Sequence, residues 1–94
     1  MEFEWDEGKD AANQVKHGVS LAQAARLDWI TGTTVRDDRR DYGEDRWIRY
    51  AGLDRRLHSC AFTIRNGVLR IISLRKSSNR EIRKHGTAAP KTDD

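Results

Sequence analysis

Residues 57–75 read Leu-His-Ser-Cys-Ala-Phe-Thr-Ile-Arg-Asn-Gly-Val-Leu-Arg-Ile-Ile-Ser-Leu-Arg, and their pattern decides the fold. Asn66-Gly67 is the pair preferred in a two-residue type I′ hairpin, because both central residues must take positive φ. Strands are therefore expected over 57–65 and 68–75. If pairing runs unbroken from the turn, Arg65 faces Val68, Thr63 faces Arg70, Phe62 faces Ile71, Cys60 faces Ser73 and His58 faces Arg75. Alternation then sorts the side chains. Cys60, Phe62, Ile64, Leu69 and Ile71 line an apolar face suited to packing on helices, while Thr63, Arg65 and Arg70 gather on the other, with Arg75 further along.

Working outward, residues 46–51 read as a third strand, Thr33-Thr34-Val35 as a weaker one, and residues 1–5 as a short edge strand. Asp6 is placed to cap a helix that runs through Lys16 and closes at Gly18. Ser20-Leu21-Ala22-Gln23 has capping-box spacing, and Leu21, Ala24 and Ala25 give a second helix its apolar side. The same spacing in Ser78-Asn79-Arg80-Glu81 opens a short charged helix ending near Gly86. Residues 36–45 read as a charged, mobile loop. The order implies an α+β domain: a mostly antiparallel sheet with two N-terminal helices and a short C-terminal helix, the helices on one face. One domain is expected over residues 1–86, with 87–94 as a loose tail.

Of the 94 residues, 36% are hydrophobic and 35% charged, so the core must be thin, and a partner that binds only the folded form would raise its stability. Most of the basic residues are arginine, whose rigid fork suits phosphate and carboxylate. Cys60 is the only cysteine, which excludes an intramolecular disulfide and a Cys-rich zinc site. It reads as a small buried hydrophobe. Trp5, Trp29 and Trp47 read as partly buried anchors more than as base-stacking platforms. No apolar stretch approaches a membrane span of roughly 20 residues, and the acidic N-terminus lacks the features of a signal peptide, so a cytoplasmic location is expected. The acids between Asp37 and Asp45 match neither an EF-hand nor an HExxH site. A P-loop, a dinucleotide fingerprint and GxSxG are also missing, and neither metal nor other cofactor is expected.

Two groups of residues can carry chemistry. Lys9, Asn13, Lys16 and His17 stand at i, i+4, i+7 and i+8, one basic stripe opposite Gly8, Ala11, Ala12 and Val15. The stripe is either a solvated face or a surface that binds phosphate and moves a proton. Thr63, Arg65 and Arg70 form the second group, where neighbouring like charges repel and so invite an anion, unless the face is simply solvated. Glu81 occupies a capping-box position and either accepts an amide proton there or works in acid–base catalysis. His58 reads as a strand-end surface residue, and His85 sits favourably for the helix dipole.

Phe3-Glu4-Trp5-Asp6, Lys9, Asn13 and Lys16-His17-Gly18-Val19-Ser20 resemble the opening of the BrnT family. The resemblance continues through Gly43-Glu44-Asp45-Arg46-Trp47-Ile48, Gly52, Leu57, Thr63-Ile64-Arg65, Arg70-Ile71-Ile72-Ser73-Leu74-Arg75 and Glu81, covering nearly all of residues 3–85. It implies a RelE-like fold, RNA cleavage, and neutralisation by a BrnA-like antitoxin with a ribbon-helix-helix domain, operator DNA being bound only through that complex. The family often ends its last helix with tyrosine where this chain has His85, and a small residue is usual where Leu74 stands.

Taken with the residue chemistry, the resemblance implies metal-independent attack of an RNA 2′-hydroxyl on the adjacent phosphate. Arg65, Arg70 and Arg75 are the candidates for phosphate and transition-state charge. Lys9, His17, Glu81 and His85 are the proton-transfer candidates, and Lys16, Arg46 and Thr63 the RNA contacts. The main alternative is a non-enzymatic nucleic-acid-binding or operon-regulatory module with the same basic surface; a third is an inactive protein-binding partner.

Overall fold

A computed structural model describes residues 1–86 of the chain, and the expected tail at 87–94 lies outside the described residues. The elements follow in the order β1 (Phe3–Trp5), α1 (Glu7–His17), a 3₁₀ helix (Leu21–Arg26), β2 (Thr33–Arg36), β3 (Trp47–Leu53), β4 (Arg56–Arg65), β5 (Val68–Lys76) and α2 (Asn79–His85). They build one five-stranded sheet in the order β1-β5-β4-β3-β2. The β2–β3, β3–β4 and β4–β5 pairs are antiparallel, but β1 joins β5 in parallel, so the sheet is mixed.

The hairpin forms where expected. Asn66 and Gly67 take φ of 53° and 77°, and Arg65–Val68, Thr63–Arg70 and Phe62–Ile71 pair. Beyond Phe62 the register slips by one, because Ile72 on β5 has no partner and Ala61 pairs Ser73. Relative to an unbroken ladder, a β-bulge of this kind exchanges the faces of the β5 residues after it. Cys60 therefore faces Leu74 instead of Ser73, and Arg75 faces Ser59 instead of His58, which pairs Lys76. The bulge turns Leu74 into the core, fully buried, and brings Arg75 to the same face as Arg70. The unusual Leu74 thus has a structural reason.

The core joins Leu21, Ala24 and Leu27 to Ala51, Leu53, Cys60, Phe62, Ile71 and Leu74, with Phe3, Trp5, Trp29, Trp47 and Leu69 packed around it. Trp29 stands edge-on to Phe62, Trp47 stacks on the same ring, and the Trp29 indole N–H donates to the Ala24 carbonyl at 2.8 Å. Two of the three tryptophans are thereby tied to one ring cluster. Cys60 is buried, and burial pushes its thiol up to about 12, out of the reactive range. Ile64, by contrast, is exposed at the hairpin end and does not join the apolar face.

The segment after Gly18 departs from expectation. Ser20 makes no side-chain cap and the residues form a 3₁₀ helix, which buries Leu21, Ala24 and Leu27 at a spacing of three and leaves Ala25 exposed. The Leu21 N–H is taken by the Asp10 carboxylate at 2.7 Å, which draws the chain tightly against α1.

α1 also turns the other way from expectation. Val15 is 90% exposed and Ala11 and Ala12 face outward, while Asn13 is buried. Its amide donates to the carbonyls of Val19 and Leu74, and its oxygen accepts the Leu74 N–H. β1 pairs β5 only at Leu69, Arg70 and Ile71, and Asn13 takes the place of a strand neighbour just beyond. Finally, the helices do not share a face. The 3₁₀ helix covers the core side, whereas α2 lies over the side that carries Ser59, Tyr50 and Arg75.

Candidate active site

α2 begins where Ser78 accepts the Glu81 N–H and the Glu81 carboxylate accepts the Ser78 N–H, the full reciprocal capping box. The same carboxylate takes both arms of Arg75, Nη1 to Oε1 at 2.7 Å and Nη2 to Oε2 at 2.8 Å, and the Ser59 hydroxyl reaches it at 3.3 Å. One side chain therefore starts the helix and aims the arginine. The ion-paired hydrogen bonds from Arg75, with the Ser78 amide in support, pull the Glu81 carboxyl down to about 2. One turn on, the His85 ring stacks on Tyr50 with centroids 3.9 Å apart and planes 9° from parallel. Tyr50 is buried, and burial together with the Glu81 charge raises its hydroxyl.

Of the proton-transfer candidates, Glu81 and His85 thus meet Arg75 at one place. His17, at the end of α1, is close enough for the charge of Arg75 to act on it. Burial, foremost, and nearby cations lower the imidazoles of His17 and His85, while the Glu81 charge opposes the shift at His85. Lys16 stands exposed beside His17.

The remaining candidates lie toward the hairpin end of the sheet. Arg70 pairs with Glu4 at 3.0 Å, and Lys9 is exposed on the first turn of α1 after Asp6. Arg65 is held by Glu44 at 3.1 Å, and Arg46 lies over the Tyr42 ring, 4.1 Å from its centroid, with Glu44 at 3.5 Å. Thr63 is buried, and its hydroxyl donates to the Asp45 carbonyl at 2.6 Å. The expected cluster of uncompensated arginines is absent here: Arg65, Arg70 and Arg75 each have a carboxylate partner, because β1, α2 and the 37–46 segment bring acids to them. That segment is itself pinned across the sheet. The Asp37 N–H bonds to the Arg46 carbonyl at 2.8 Å, and its buried carboxylate accepts from Arg39 and Tyr42.

Arg75, Glu81 and His85 were named from the sequence, whereas Tyr50 and Ser59, which the fold sets beside them, were not. Tyr50 and Ser59 pair directly across β3 and β4, and Ser59 pairs Arg75 across β4 and β5. Only the bulge makes this row, and strict alternation hides it. His58, expected at the surface, is buried, with Nδ1 2.9 Å from the Arg56 carbonyl.

The low Glu81 pKa has a measurable consequence. Its stabilisation is complete above the ordinary value of 4.5 and is lost as pH falls through about 2. Stability against denaturant is expected to fall as pH is lowered across that window in the native chain, and less steeply in Glu81→Gln. Equal slopes would mean that the carboxylate is not held in its charged form.

Among the described residues no group of three or more His, Cys, Asp or Glu side chains gathers as metal ligands would, and no helix is long and apolar enough to cross a membrane. A search among curated proteins finds no match. Residues 5–81, from the end of β1 to the carboxylate that clamps Arg75, match the family described as "Ribonuclease toxin, BrnT, of type II toxin-antitoxin system". The chain belongs to the BrnT family of ribonuclease toxins, whose systems supply each toxin with an antitoxin.

Proposed function

We infer that the protein is a metal-independent endoribonuclease that arrests growth in the cytoplasm until an antitoxin covers it. The observation that carries this reading is the Arg75–Glu81 pair beside the Tyr50–His85 stack, a directed cation next to an imidazole. In the reaction, a base takes the proton of a 2′-hydroxyl, the freed oxygen attacks the adjacent phosphorus, and the P–O5′ bond breaks to leave a cyclic phosphate. The departing 5′-oxygen must then receive a proton.

Arg75 stabilises the charge on the phosphoryl oxygens without a metal. Glu81 aims Arg75; a carboxyl titrating near 2 is a poor proton acceptor at neutral pH. Proton transfer falls to His85 and His17: burial favours the neutral imidazole that takes the 2′-hydroxyl proton, and the imidazolium so formed carries the proton that the departing 5′-oxygen receives. Lys9, Lys16, Arg46, Arg65 and Arg70 supply charge along the RNA backbone, while Thr63 acts indirectly by holding the loop through Asp45.

The purified protein is expected to cut RNA in EDTA and to leave 2′,3′-cyclic phosphate ends, detectable by end-group analysis. Activity that disappears with the chelator and returns with magnesium would overturn the mechanism. The partner should be a BrnA-like ribbon-helix-helix protein encoded beside this chain, which binds operator DNA on behalf of the complex. Mixing the two should stop cleavage and raise the melting temperature together.

A further inference from the structure

Ile48, Ser59, Ala61 and Ser73 floor a cleft of about 60 Å³ between Arg39 and Arg75. Two guanidinium groups at its sides and two serine side chains at its floor are donors suited to a single tetrahedral oxyanion. The two arginines come from unrelated parts of the chain, Arg75 from β5 and Arg39 from the 37–46 segment. Each is clamped by a carboxylate that does not line the cleft. Asp37 accepts Nε and Nη2 of Arg39 at 2.7 Å each, as Glu81 accepts both Nη atoms of Arg75.

The clamps fix the direction of both forks. They leave Nη1 of Arg39 and Nε of Arg75 with no hydrogen-bond partner among the described residues, and neither is a buried atom lacking a bond. The charge of Arg39 also acts against that of Arg75, so an anion between them relieves a repulsion.

We propose that this cleft binds a single phosphodiester group between Arg39 and Arg75, with Ser59 and Ser73 at its floor, making Arg39 a second phosphate-binding residue. The proposal rests on the ribonuclease reading only for the origin of the phosphate, an RNA strand. It assigns a task to the acidic and basic segment that its composition hides. Asp37 holds the arginine, and the arginine holds the phosphate.

The test is to follow the arginine Nε–Hε NMR signals of the ¹⁵N-labelled chain while inorganic phosphate, and separately a non-cleavable 2′-deoxydinucleotide, is added at constant ionic strength. Saturable shifts are expected at Arg39 and Arg75 with both probes, and smaller ones at Arg65 and Arg70. Arg39→Gln alone strands the buried Asp37 charge, so the variant to assay is Asp37→Asn with Arg39→Gln. Its kcat/KM for RNA cleavage should fall on the order of 10²-fold, part of the loss appearing as a raised KM because the phosphate is held before the reaction as well as during it.

Arginine signals that all move alike, or a folded double variant that cleaves at the native rate, would overturn the site. The titration of the native chain is decisive even if the variant does not fold. Should the native chain take up phosphate at these two arginines yet cut no RNA, the site stands and the ribonuclease reading falls. Should it cut RNA with no phosphate response in the cleft, the site falls and the ribonuclease reading stands.

Discussion

Arg75→Gln is expected to lower kcat for RNA cleavage on the order of 10³-fold, with a smaller rise in KM from the lost ground-state contact to the phosphate. A cation aimed at phosphoryl oxygens acts on charge that develops in the transition state, so its removal is read chiefly in kcat. The substitution also deprives Glu81 of its first partner, and charge-assisted hydrogen bonds of this kind contribute about 1.5–3 kcal/mol each at most. Stability must therefore be measured alongside. Glu81→Gln leaves Arg75 in place but unaimed, and should lose activity without matching the loss in Arg75→Gln. Arg70→Ala is the comparison. It breaks a half-exposed pair with Glu4, worth about 1 kcal/mol or less, and its activity loss should be much smaller. If Arg70→Ala and Arg75→Gln fall equally, the bulge-built site is not where the chemistry occurs.

Asn13→Ala should cost about 3 kcal/mol of stability. The side chain closes three hydrogen bonds with backbone groups, and leaving such groups unmet in a buried place costs about 1–3 kcal/mol apiece before any water enters. For a domain of this size that corresponds to a fall in Tm of roughly 12–24 °C. Asn13→Asp distinguishes hydrogen bonding from volume. It can still accept from the Leu74 N–H but meets two carbonyls with a carboxylate, so it should be at least as damaging as alanine. A mild Asp variant would show that Asn13 matters for its bulk.

The hairpin, the capped ends of α1 and α2, and the buried Cys60 were legible because each follows from a local rule. Asn-Gly dictates a turn, and Ser-x-x-Glu a helix start. The bulge was not legible. Ile71 and Ile72 are both strand formers, and no local pattern announces the extra residue that lets the core set Leu74 against Cys60. The face of α1 was misread for a similar reason. Its alanines and Val15 suggest an inward side, but Asn13 is drawn in by backbone groups of β5, sixty-one residues away in sequence. The acids that compensate Arg65 and Arg70 come from Glu44 and Glu4, and no local spacing relates them.

The unpaired Ile72 makes the length of β5 as informative as its composition, and makes it so in one direction only. Taking Ile72 out would close the ladder without changing a single partner: Phe62 would still meet Ile71, Ala61 would still meet Ser73, and Cys60 would still meet Leu74. What disappears is the local bend and extra twist that a bulge gives its strand. Adding a residue between Ser73 and Leu74 is a different matter. Resumed alternation would then send Leu74 outward and drive the Arg75 guanidinium toward the core around Cys60. β5 therefore carries one residue of slack that can be given up but not doubled, and related sequences whose length differs at this point are expected to be shorter by one and not longer.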